Sequence, residues 1–105
     1  MQNEDLILNQ IVQIIKKQLA PSKIYLFGSR ARGDHSDHSD YDILIIVDEV
    51  TGRRSELIGN LHLSTFDVPA SIDFLIYTQK EFDEWKTEFG AIPYECVQEG
   101  IELNV

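Results

Sequence analysis

Apolar residues along this chain recur at two different spacings, and the changes between them mark out the elements. Over residues 4–19, Ile7, Leu8, Ile11, Val12, Ile14, Ile15 and Leu19 return every three or four positions, which predicts an amphipathic helix with a wide buried face. Asn3 stands where it can cap this helix and Pro21 where the helix must stop, and packing on a sheet accounts for its apolar face. Residues 24–27 are a short apolar run, read as a buried strand that Gly28 and Ser29 break. Residues 43–47, Ile-Leu-Ile-Ile-Val, have the β-branched density of a strand covered on both faces. Turn-forming residues 48–52 lead to a moderately apolar helical segment at about 53–66, with Leu57, Ile58, Leu61 and Leu63. It is read as a crossover that returns the chain to a third strand, residues 71–77, parallel to the second.

Thr78 followed by Glu81 is a capping-box pattern, so a further helix is expected over about 79–89, ending at Gly90. Phe82, Trp85 and Phe89 would share one stripe, read as core, with a partner interface as the other reading of the lone tryptophan. Pro93 suits the first turn of a last short helix that Gly100 closes, and residues 101–105 read as an edge strand. The pattern as a whole predicts the α/β (α+β) class: a small mixed β-sheet of three to four strands packed against helices.

A polar, charged loop separates the first two strands, and the candidate chemistry gathers at its ends. Gly28 lets the backbone turn and approach a ligand closely, and Ser29 adds a hydroxyl and an amide donor, together half of a phosphate cradle. Asp40 and Asp42 stand before the second apolar run, two positions apart, so their carboxylates point the same way. Two like charges so placed repel, and a Mg²⁺ ion between them would offset that cost. Asp37 also follows a serine, but only Asp40 lies two residues from another aspartate at a strand start. Asp73 interrupts the third apolar run; it reads either as an edge position facing water or as a third carboxylate carried beside the first two by a parallel neighbour. Arg30 and Arg32 read either as a solvated basic turn or, beside a triphosphate site, as phosphate contacts.

Gly28-Ser29, ten residues from Arg30 to Ser39, then Asp40-Tyr41-Asp42, with Arg30-Ala31-Arg32-Gly33 between, resembles the signature of the DNA polymerase β nucleotidyltransferase superfamily. The chain is most similar in plan to the minimal nucleotidyltransferases, single-domain proteins that serve as antitoxins beside a HEPN-domain toxin. The resemblance implies a polymerase β-like fold, ATP as substrate, two Mg²⁺ ions on Asp40, Asp42 and Asp73, and transfer of AMP to a hydroxyl, such as a tyrosine, of a HEPN partner. It also implies that Asp73 matches the family's third aspartate, in an Ile-Asp step. Larger members hold the acceptor with extra helical domains, so here another protein is expected to present it. A non-catalytic antitoxin of the same fold, acting by contact alone, is the alternative, and a stand-alone small-molecule or nucleic-acid nucleotidyltransferase is a third reading.

Composition narrows these readings. The 105 residues fit one domain, residues 1–105, with a single core. A net charge of −9 argues against a broad grip on nucleic acid and leaves a basic partner easier to accommodate. Cys96 is alone, so no intrachain disulfide forms; with no signal peptide or membrane-length apolar run, the cytoplasm is the expected compartment. Cys96 itself is read as a small buried apolar residue. His35 and His38, with Asp34 and Asp37, lack the further ligands a zinc site wants, and are read as a solvated loop.

Overall fold

The strand carrying Asp42 is buried on both sides because every residue after that aspartate is apolar, and the other elements are laid against it. The computed structural model describes residues 5–103. In chain order they form α1 (Leu6–Leu19), β1 (Lys23–Phe27), α2 (Ser29–Arg32), β2 (Tyr41–Val47), α3 (Arg54–Ser64), β3 (Ile72–Thr78), α4 (Gln79–Trp85), α5 (Ile92–Glu99) and β4 (Ile101–Leu103). The sheet order is β3-β2-β1-β4. β2 and β3 run parallel, joined through α3, while β1 is antiparallel to both β2 and β4, so the sheet is mixed and four-stranded as expected.

Strand alternation sorts the core into two layers. Ile43, Ile45 and Val47 face Ile11, Ile15 and Leu61 of α1 and α3, with Ile24, Leu26, Ile72, Phe74 and Ile76 from the flanking strands. Leu44 and Ile46 face the other way, onto Phe27, Phe82 and Cys96 under α4 and α5. The parity that puts Leu44 on the second layer also puts Asp42 there, at the end of the strand where the apolar cover runs out.

Three expectations change. The residue that caps α1 is Asp5, whose carboxylate accepts from the Leu8 amide at 3.0 Å; Asn3 lies outside the described residues. Ala20, at φ 44°, ends that helix in the left-handed conformation one residue before Pro21. The helix opened by the Thr78–Glu81 capping box has both reciprocal bonds, yet it stops at Trp85 rather than near Phe89. The stripe is thereby cut: Phe82 is buried, but Trp85 is 51% and Phe89 89% exposed, so the core reading fails for both. The last strand is Ile101–Leu103, and residues 104 and 105 lie outside the described part. Among the described residues no helix is long and apolar enough to cross a membrane.

Candidate active site

Parallel pairing of β2 with β3 places Asp42 directly opposite Asp73. Burial, followed by the charges of Asp73 and Asp40, pushes the Asp42 carboxyl up from 3.8 to about 6, and a hydrogen bond with Asp73 adds to the rise. Asp73 is exposed on the edge strand, as its water-facing reading expects, and it also stands opposite Asp42. Asp40, exposed at the end of the loop, acts on Asp42 through its charge. Among the described residues, no three His, Cys, Asp or Glu side chains close into one metal-holding group; the strand register pairs Asp42 with Asp73, and Asp40 stays exposed beside them. Two repelling carboxylates offering only oxygen donors do fit a hard divalent cation.

Gly28 is the other wall of this site. Its backbone, at φ 75° and ψ −158°, is in a region side chains avoid, and a Cβ there would lie 2.1 Å from Asp42 Oδ2. The close approach the glycine permits is therefore that of Asp42 itself. From Ser29 the chain enters the single turn of α2, which ends at Gly33 in the left-handed conformation.

An acidic residue the sequence reading missed completes the cradle. The Gly28 amide donates to Glu95 Oε2 at 3.2 Å, and Arg32 reaches the same oxygen at 3.4 Å. Arg32 also pairs with Asp34 at 3.2 Å and lies 3.9 Å from Glu99. A carboxylate of α5 thus occupies donors expected to hold phosphate. Nothing local in Pro93-Tyr94-Glu95-Cys96 signals this, because the partner glycine is 67 positions away. A cleft of about 270 Å³ opens alongside, bounded by Arg32, Phe89, Tyr94, Glu95 and Glu99.

Arg30 turns away from the cradle. Its Nε donates to the Ser39 carbonyl at 3.0 Å, and its guanidinium carbon lies 4.1 Å from the centre of the Tyr41 ring. The loop it touches is a hydrogen-bonded turn made by the repeated His-Ser-Asp: Ser36 N donates to Ser39 Oγ at 3.0 Å and His38 N to Ser36 Oγ at 3.2 Å. His35, Asp37 and His38 are exposed on that turn, as their solvated reading expects. Cys96 is buried, and burial with the nearby Glu95 pushes its thiol up to about 12, which keeps it protonated and unsuited to act as a nucleophile.

A mixed sheet with a glycine-serine turn facing paired aspartates defines the nucleotidyltransferase class, and residues 9–101 match the polymerase beta nucleotidyltransferase family, to which this chain belongs. Over 48 residues it is 44% identical to MJ0604 of Methanocaldococcus jannaschii, provisionally named a protein adenylyltransferase; this covers 44% of the chain and only 48%, about half, of that relative. A crystal structure of a provisionally named nucleotidyltransferase superposes with TM-score 0.62 at 31% identity, over 92% of this chain and 97% of that one. A toxin-antitoxin crystal structure with AMP-PNP superposes with TM-score 0.61 at 23% identity, over 90% of this chain and 69% of that one, a likeness of fold.

Proposed function

We propose that this chain is a Mg²⁺-dependent nucleotidyltransferase that moves AMP from ATP to a tyrosine hydroxyl of a HEPN-type toxin, and so acts as a cytoplasmic antitoxin. The observation that carries the reading is the register pairing of Asp42 with Asp73 beside the Gly28 turn. Asp40, Asp42 and Asp73 would hold two Mg²⁺ ions, which when bound supply charge neutralisation at the triphosphate and at the acceptor oxygen. Gly28 and Ser29 lend backbone and hydroxyl donors to the terminal phosphates, and Arg32 lends a guanidinium. The acceptor oxygen bonds to the α-phosphorus as pyrophosphate leaves, and the hydroxyl proton is released. No side-chain nucleophile is needed, in keeping with the protonated thiol of Cys96. The cleft beside the cradle is open to a partner's side chain, and the toxin-antitoxin fold neighbours support a toxin as that partner.

A contact-only antitoxin is the second reading, favoured by the Glu95 carboxylate already seated on the Gly28 amide. Labelled ATP, Mg²⁺ and the product of the neighbouring reading frame, tested as the toxin, decide between them. Transfer of label to the toxin is expected, with Asp42→Asn losing both nucleotide binding and transfer, and Asp73→Asn keeping binding but losing transfer. Full neutralisation of the toxin in cells by both variants would displace the enzyme reading.

A further inference from the structure

The Arg30 side chain touches both neighbours of Asp40. Nε donates to the carbonyl of Ser39, the residue before it, at 3.0 Å, and the guanidinium stacks on the ring of Tyr41, the residue after it, at 4.1 Å. Longer contacts of 3.4 and 3.5 Å from the same group reach the Ser36 and Asp37 carbonyls farther back in the turn. Tyr41 is itself fixed: its ring is buried, and its hydroxyl donates to the two carboxylate oxygens of Asp5 at 3.2 and 3.0 Å. Asp5 in turn caps α1. A chain of contacts therefore runs from the first helix through Tyr41 and Arg30 to the turn that carries Asp40. Arg30 follows Ser29 directly, so the same helical turn that shapes the cradle also grips the aspartate loop.

We infer that Arg30 is a positioning residue that sets Asp40, rather than a phosphate ligand. The inference rests on the reading of Asp40 as a cation-holding carboxylate. Asp40 is the one aspartate of the three outside a strand, so its backbone has no sheet ladder to fix it. A planar guanidinium suits the task, because it can donate in its plane to a carbonyl while its face lies on an aromatic ring; an ammonium has no plane to stack. Asp40 itself is exposed, and a grip on its two neighbours lets the side chain swing while the backbone stays in place.

The test compares Arg30→Met, which keeps the stem, with Arg30→Lys and Tyr41→Phe, each checked for folding by its thermal transition. In the metal-free protein, hydrogen exchange over residues 34–41 is expected to speed up in Arg30→Met, with less effect in Arg30→Lys. Mn²⁺ binding, followed by its free electron-resonance signal, should weaken about tenfold, the usual scale for losing a group that orients a ligand. In AMP transfer the Mg²⁺ concentration for half-maximal rate should rise by about the same factor, with KM for ATP within about twofold. A rise in KM for ATP with Mn²⁺ affinity and exchange unchanged would make Arg30 a phosphate ligand and overturn the inference, as would no change in any readout. If the parent protein transfers no AMP, the enzyme reading falls, while exchange and Mn²⁺ binding still decide the role of Arg30. If Arg30→Met does not fold, Tyr41→Phe, which cuts the tether to Asp5 and removes one hydroxyl, must weaken Mn²⁺ binding or loosen the turn for the inference to stand.

Discussion

Asp42 keeps its proton to about pH 6 because it is partly buried opposite Asp73 with Asp40 close behind, whereas in an unfolded chain it would ionise at its ordinary 3.8. A folded acid that holds its proton more tightly than the unfolded one favours the fold below the ordinary value and loses that advantage as pH rises through the folded value. The metal-free protein should therefore lose stability between about pH 4 and 6 on account of this residue. Glu81, bonded to Arg54 at 2.7 Å and lowered by it, has the opposite sign, its contribution fading as pH falls. Urea unfolding at a series of pH values checks this: Asp42→Asn should be more stable than the parent at neutral pH and equal to it near pH 4. An Asn variant that is no more stable at pH 7 would show that the site carries no such strain. The aspartates were legible in the sequence because Asp40 and Asp42 stand two positions apart before one apolar run and Asp73 breaks another, and period-two alternation fixes which way Asp42 points. The setting of Asp40 was not, because it depends on a loop whose bonds to Arg30 no periodicity encodes.

At the scale of elements, α5 does something its sequence hides. A Pro at its start and Gly100 at its end announce a short helix, and Cys96 finds the core beneath it, but the helix also delivers Glu95 to the Gly28 amide and Arg32. A triphosphate bound at those donors must displace that carboxylate. Glu95→Gln removes the charge and keeps the size, so nucleotide should bind more tightly by on the order of 1 kcal/mol, about fivefold, the modest figure suiting a partly exposed pair. Calorimetric titration with ATP, with and without Mg²⁺, measures it. Weaker binding in Glu95→Gln would instead make Glu95 part of the nucleotide site. Local signals read the start of α4 well, since the Thr78–Glu81 box forms both its bonds. They failed at the end of α4, where Gly90 was taken as the stop and the chain left the helix at Trp85.

The whole molecule is a four-stranded sheet with a layer on each side, and that much followed from strand patterns: a run apolar at every position must be covered twice, and a helical segment between two strands implies a parallel pair. What did not follow is how far the second layer extends. Continuing the Phe82-Trp85-Phe89 stripe would have given that layer three aromatic anchors, but only Phe82 enters it, stacked on Tyr25 with ring centres 5.5 Å apart. The consequence is a contrast between neighbours on one helix. Phe82→Ala should cost about 3–5 kcal/mol, a large share of the stability of so small a domain. Trp85→Ala gives up only the covered half of its ring and should cost about 1 kcal/mol. Urea midpoints of the two variants, at matched denaturant slope, supply the comparison. Comparable losses would mean that Trp85 packs inward in solution and that the second layer reaches past α4; a small loss for Phe82 would mean that the layer is not what holds α4 to the sheet.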